Sequence, residues 1–480
     1  MRLAVFTLTP LALAFGLAPR SARGAELDPE IQQMIARVDA DHIGGTIQRL
    51  QNFGTRHACS TDARPARGIN AARDWIAHRF NAVHGLEVRL DRYTHARCPD
   101  APTFNVVGWL PGTGHPERLI VIGGHYDSRT IDVNDRFSDA PGANDSGSQA
   151  ALVLEAARAL AKHRHDATLV FVTYSGEEQG LFGSGSFARG LAKYFGQATV
   201  VANLNADIVG GDSTVNGPTE LQQFRLYSPG TPREVGSRTE DGTTDNTSPS
   251  RGLMRFIGTW GAAYVPSMQM IPKLREDRPG RGSDHRSFID LGIPAVRFME
   301  TIECSPSPPD NSCVGTRPCP ARAGIPANCA DFNVSHQHSP FDLAEFVTPE
   351  YTARVTQLVV ATAASLARAP GAPNGLVVMG DAVNGATITW NPSSTGAVDH
   401  YVIAARSTRE NFYRQRLRVN GTAQTISPSE LGFSGGESFF VSVAAVDAAG
   451  HESLFAYPEF RCDAAGCVVP PGALDVTVRQ

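Results

Sequence analysis

Between residues 104 and 299 the chain keeps returning to one pattern: a short apolar run rich in β-formers, a polar turn, then a stretch of helical period. Residues 104–110 and 118–124 flank a turn-rich 111–116, and 167–174 is apolar without alternation. Further strands are expected at 198–208 and 293–299, with helices at 146–160 and 180–195 between them. Two more helical stretches, 29–51 and 65–80, precede the first strand. A strand that is apolar on both sides must be covered on both faces. The pattern therefore predicts an α/β fold with a mixed, mostly parallel central sheet and helices on both faces.

Thr348-Pro349-Glu350 has the signature of a helix start, and that helix should end near Ala369. The texture then changes. Residues 370–373 read as a linker, and the short alternating runs at 386–390, 400–404 and 438–446 suit a small all-β sandwich over 370–460. Residues 461–480 form a tail, and the Gly-, Ser- and Thr-rich stretch 231–250 reads as a surface loop. At the start, Arg2, an apolar run from Leu3 to Leu17 and the small residues around Gly24 and Ala25 match a secretory signal over 1–25. Pro10 interrupts that run, which is too short for a membrane span. The remainder, 26–369, is left for the α/β unit. Its product is expected to be secreted or periplasmic, with no membrane span. The 43 Lys and Arg against 48 Asp and Glu leave a net charge of −5, so no basic excess exists to neutralise nucleic acid.

Eight cysteines fit an oxidising compartment. Cys59–Cys98 and Cys462–Cys467 are expected as bridges. The spacing of Cys304, Cys313, Cys319 and Cys329 is not that of paired short zinc loops, so these too are read as disulfides, with connectivity left open.

Open α/β sheets bind ligands beyond the carboxyl ends of their strands. Those positions carry Gly124-His125-Tyr126-Asp127, Asn144-Asp145, Gly176-Glu177-Glu178 and Asn205-Ala206-Asp207. Later come Ser283-Asp284-His285 and His336-Gln337-His338-Ser339-Pro340-Phe341-Asp342. Singly, each has an ordinary role: Asp145 as a helix cap, Glu177 and Glu178 as first-turn acids, the histidines as satisfied polar groups. Together on one rim, such acids would repel one another without a cation. Carboxylates and imidazoles suit zinc or another first-row divalent metal. Five ligands with one bridging carboxylate can hold two ions, and of the adjacent glutamates one can ligate while the other takes a proton from water.

At these residues the chain resembles the co-catalytic di-zinc aminopeptidases, peptidase family twenty-eight, a group of secreted bacterial leucine-type aminopeptidases. The likeness spans about 30–368, with five motifs in order. It implies a zinc exopeptidase fold and two Zn2+ per chain. His125 and Asp207 fall on the first-zinc ligands, Asp145 on the bridging aspartate, and Glu178 and His338 on the second-zinc ligands. Glu177 falls on the general base and Asp127 on the acid that orients His125. His338 is preferred to His336 because only His338 is followed by Ser-Pro-x-Asp. Where relatives often carry a tyrosine that helps hold an oxyanion, this chain has Gln337. Arg281, one residue out of place, is a candidate contact for the substrate carbonyl; Asp284 is read as structural or as a support behind the metal ligands. The implied chemistry is hydrolysis of peptides with a free N-terminus by a metal-bridged hydroxide. A carboxypeptidase or dipeptidase on the same site, a glutaminyl cyclase, and a binding protein with a vestigial metal site are the rivals. The second unit resembles a fibronectin type III module through Trp390, Tyr401 and the 440–453 stretch, with a surface or polymer as its contact and Trp390 and Tyr401 as core.

Overall fold

The computed structural model describes residues 27–60, 64, 66–99, 102–211, 221–230, 247–277, 282–301 and 336–470. The signal segment, Arg281, the four cysteines between 304 and 329, most of the 231–250 stretch and the end of the tail lie outside the described residues. No helix among the described residues is long and apolar enough to cross a membrane.

Eight strands form the main sheet: β1 (Glu87–Tyr93), β2 (Thr103–Leu110), β3 (His115–His125), β4 (Ala167–Tyr174), β5 (Thr199–Ala206), β6 (Gln223–Tyr227), β7 (Gln269–Lys273) and β8 (Ala295–Met299). Their order is β1-β2-β4-β3-β5-β8-β6-β7. The central four, β4-β3-β5-β8, run parallel; β1 pairs antiparallel with β2, β2 with β4 and β6 with β8, and β7 runs parallel to β6. Side-chain direction alternates along a strand, so each central strand supplies both cores. Ile120, Ile122, Leu169, Phe171 and Leu204 meet the helices Pro29–Ala36, Gly68–Asn81, Gln149–Leu160 and Pro349–Arg368. Leu119, Val121, Val170, Val172 and Val200 meet Phe187 and Phe288 from the helices Phe182–Arg189 and His285–Ile289.

Several boundaries move. The 29–51 stretch is two helices, the second (Ala40–Gln51) capped by Asp39, whose carboxylate accepts from the amides of Asp41 and His42. The 180–195 stretch also splits, at Gly190. A regular helix starts only at Gln149, because residues 143–148 wind more widely around a non-helical Asp145. The polar 231–250 stretch ends in a helix, Pro249–Phe256, with Ser248 accepting from the Arg251 amide. Strands β1, β6 and β7 were not legible from the apolar pattern. β1 is a largely exposed edge strand bearing Glu87, Arg89, Asp91 and Arg92.

Beyond Ala369, the strands β9 (Asn374–Asp381), β10 (Gly385–Asn391), β11 (His400–Ser407), β12 (Gln415–Val419), β13 (Ala423–Ile426), β14 (Phe439–Val446), β15 (Phe460–Asp463) and β16 (Gly466–Val468) form sheets of three and five. All their pairings are antiparallel, and the two sheets share one apolar cluster. Trp390 and Tyr401 are buried in it, edge to face at 5.3 Å. Polar contacts join this unit to the larger one: Arg255 lies 3.1 Å from Glu459, which within its own unit also meets Arg406 at 2.8 Å, and Trp260 donates to Glu452. The bridges Cys59–Cys98 and Cys462–Cys467 are present.

Candidate metal centre

Three adjacent parallel strands, β4, β3 and β5, end on one rim. His125 is the last residue of β3, Glu177 and Glu178 follow β4 by a tight turn at Gly176, and Asp207 follows β5 directly. Gly124 lets the next helix pack onto that rim, since a Cβ there would stand 2.9 Å from Gln149 Cβ. Gln149 is thereby brought to 2.9 Å from His125 Nε2, and its side-chain oxygen accepts from the Ile208 amide. The Asp342 carboxylate accepts from the amides of Asn144 and Asp145, which fixes the loop carrying Asp145. Arg56, fully buried, donates to the carbonyls of Leu50, Tyr126, Pro141 and Gly142 and ties both sides of this loop to β3.

Two groups of possible metal donors result: His125, Glu177 and Asp207 in one, Asp145, Glu178 and His338 in the other. Within each, the donor atoms lie within 4.8 Å of one another. Asp145 faces both. Its Oδ1 is 3.3 Å from His125 Nε2, and its Oδ2 is 3.2 Å from His338 Nε2. His125 Nε2 is also 3.4 Å from Asp207 Oδ1 and 3.9 Å from Glu177, while His338 Nε2 is 3.2 Å from Glu178 Oε2. Asp127 stands behind them: its backbone carbonyl is bonded to His125 Nδ1 at 3.1 Å, and its carboxylate, 3.5 Å from the same nitrogen, accepts from the amides of Glu177 and Glu178. His336 instead stacks on Phe346 at 4.0 Å. Gln337 donates to Asp145 Oδ2, so it engages the shared carboxylate.

The electrostatics show what the site lacks. Burial works against the charged form of His125, but Glu177 and hydrogen bonds to Asp127, Asp145 and Asp207 outweigh it and raise its pKa well above the ordinary value. His338 is raised in the same way, burial being overcome by Glu178 and Asp145. Burial pushes Glu177 well above the carboxylate range, against the pull of His125. Burial likewise lifts Asp284 to about 7. Asp145 is held well below its usual value despite burial, by the neighbouring imidazoles of His125 and His338. The carboxylates thus draw positive charge into the centre, even as protons on imidazole. Asp145 Oδ1 and Glu178 Oε1 are also buried with no hydrogen-bond donor. Oxygen and imidazole donors in need of positive charge fit zinc or a similar divalent ion.

Several residues around the centre were not singled out from sequence. Gln149 and Asn144 are two; Asn144 donates to Glu300 and accepts from the Gly210 amide. Arg297 places Nη2 3.0 Å from Asp207 Oδ2, and Arg129 donates from Nε to Glu178 Oε2 at 2.7 Å. Arg297 did leave a signal: it is a charge inside the apolar run 293–299, where only a buried acid could balance it.

Comparison with known proteins identifies the family of the chain. The model of Peptidase family M28 matches residues 105–363. A probable zinc metalloprotease of Leptosphaeria maculans is 34% identical over 424 residues, covering 84% of this chain and 91% of the relative. One from Pyricularia oryzae is 35% identical over 426 residues, covering 82% and 78%. Among solved structures, the Legionella pneumophila LapA aminopeptidase shares the fold, with a TM-score of 0.50, 18% identity and coverage of 71% of this chain and 75% of that one. With a family match over more than half its length and relatives alike across most of theirs, the chain belongs to peptidase family M28 and is a metallopeptidase.

Proposed function

We propose that the chain is an exported zinc-dependent aminopeptidase that holds two zinc ions. Asp145 supports this most directly, since its two oxygens face His125 at 3.3 Å and His338 at 3.2 Å. His125, Asp145 and Asp207 would hold one ion, and Asp145, Glu178 and His338 the other. Bound zinc supplies Lewis acidity to the peptide carbonyl and lowers the pKa of water. Glu177 is left over from that ligand set. Its carboxylate, 3.9 Å from His125 on the rim of the centre, is placed to accept a proton from water and return it to the leaving amine. Asp127 holds the His125 ring and, through the amides of Glu177 and Glu178, the turn that presents both glutamates. Action at a free N-terminus follows the resemblance of the ordered motifs around residues 125, 145, 177, 207 and 338. Export follows the signal pattern over 1–25. The β unit after Ala369 is taken as a fibronectin type III-like module that contacts a surface or polymer.

The deciding experiment is turnover of peptides with free and with blocked N-termini, with and without a chelator, beside zinc analysis. About two zinc per chain and loss of turnover on blocking or chelation are expected. Undiminished turnover of blocked peptides with a need for a free C-terminus would make it a carboxypeptidase instead. Glu177→Gln should lower turnover about 10²–10⁴-fold with zinc still bound; near-normal turnover would remove Glu177 from the base role.

A further inference from the structure

The outer carboxylates of the two donor groups are each paired with an arginine, but the arginines are held differently. Arg297 is fully buried on β8, and its Nη1 also donates to both oxygens of Asp277, at 2.9 and 2.7 Å. Arg129 lies on the loop that leaves the rim after Asp127, with a side chain 16% exposed. Its Nε reaches Glu178 Oε2 at 2.7 Å while its Nη1 donates to the carbonyls of Thr130 and Ile131 at 3.3 and 3.2 Å. The guanidinium is thus locked to its own loop, and the loop decides where Glu178 points.

That loop is fastened from outside. His57 Nε2 donates to the Val133 carbonyl at 2.9 Å, and Arg97 Nη1 donates to Asn134 Oδ1 at 3.4 Å. His57 stands two residues before Cys59 and Arg97 one before Cys98, and these cysteines are bonded to each other. The same bridged region grips the other side of the centre. His95 stacks between Tyr93 and Phe182, with centroids 5.8 and 4.4 Å away, and the Tyr93 hydroxyl donates to the Ser175 carbonyl just ahead of the two glutamates.

We propose that Arg129 is the positioning residue for Glu178, and so for the metal position formed with Asp145 and His338, and that the Cys59–Cys98 bridge holds Arg129 in place through His57 and Arg97. This rests on the two-zinc reading. Removing a group that orients a metal ligand typically costs 10- to 100-fold in metal affinity. Arg129 therefore weakens one of two zinc equivalents when lost, and the other stays as it was, because Asp207 keeps Arg297.

The test is zinc competition against a chromophoric chelator, using the full chain and resolving each equivalent. Arg129→Gln should weaken one equivalent by about 10- to 100-fold and leave the other unchanged. Arg136→Gln, on the same loop but packed against Phe137, should change neither. Replacing Cys59 and Cys98 together by serine should weaken that same equivalent, with little further loss when combined with Arg129→Gln, as expected of groups acting through one path. Two wild-type-like equivalents in Arg129→Gln would overturn the proposal. So would a raised KM at full zinc, which would make Arg129 a substrate contact. Fully additive losses from the serine pair would sever the bridge from Arg129. If the serine pair does not fold, Arg97→Ala removes the Asn134 contact alone and is read the same way. A wild-type chain binding only one zinc would instead defeat the two-zinc reading.

Discussion

Glu459 should make the attachment of the C-terminal β unit depend on pH. Its carboxylate is 3% exposed and meets Arg406 at 2.8 and 3.2 Å, Arg255 at 3.1 Å and the Tyr413 hydroxyl at 2.9 Å. Arg255 belongs to the helix Pro249–Phe256 of the larger unit, while Arg406 and Tyr413 belong to the β unit. Burial opposes the charge, but the two arginines hold the carboxyl at about 2 against an ordinary 4.5. At about 1.4 kcal/mol per tenfold change in proton affinity, that difference is worth on the order of 3 kcal/mol. Because the folded value is depressed, the contribution is fully present above pH 4.5 and is lost as pH falls from 4.5 toward 2. Glu459→Gln removes the carboxylate that both buried guanidiniums share, and breaking a buried ion pair from one side costs about 3–5 kcal/mol at neutral pH. Urea unfolding of the wild type and this variant at pH 7 and pH 3, followed separately by probes in each unit, measures it. The gap between them should be several kcal/mol at pH 7 and narrow clearly at pH 3, with the β unit unfolding first in the variant. Other carboxylates titrate in both proteins and cancel in the comparison. A gap below 1 kcal/mol at pH 7, or one that does not change with pH, would refute this account of the junction.

Gly124→Ala places a Cβ 2.9 Å from Gln149 Cβ and 3.1 Å from the Ala206 carbonyl. It should destabilise the fold by about 1–3 kcal/mol and weaken zinc retention, both readable by melting with and without added zinc; a wild-type melt would show that the rim relaxes freely. Arg56→Met removes donors from four buried carbonyls and should cost several kcal/mol, since each unmade buried bond costs about 1–3 kcal/mol. Equilibrium unfolding checks this, and a loss under 1 kcal/mol would mean those carbonyls find other donors.

Most of the centre was legible because the runs 118–124 and 167–174 are apolar on both faces and 198–208 reads as a further strand beside them. Strands buried that way lie side by side in a parallel sheet, and their carboxyl ends fall on one edge. The acids and histidines that follow them could be named before any fold was seen. What stayed hidden depends on pairing across the sheet. Asn205 on β5 lies opposite Arg297 on β8, which sets that guanidinium beneath Asp207, two residues further on. The sequence shows an arginine in an apolar strand but not which acid it faces. Charged β1 and the five-residue β6 and β7 escaped for a related reason, since neighbours rather than their own pattern make them strands.

The pairings decide something finer than which acids gather. Asp207 gives Oδ2 to Arg297 and turns Oδ1 toward His125. Glu178 gives Oε2 to Arg129 and leaves Oε1 buried without a donor. Asp145 takes Gln337 on Oδ2 and has no donor on Oδ1. Asp207 and Glu178 thus each commit one oxygen to an arginine, while Asp145 turns one oxygen toward His125 and the other toward His338. A carboxylate free at both oxygens could rotate away from an ion, and one saturated at both would have nothing to offer it. Residue type fixes only that these groups can bind a metal; the arginines and the glutamine, placed by register and loop, fix how each is held to do so.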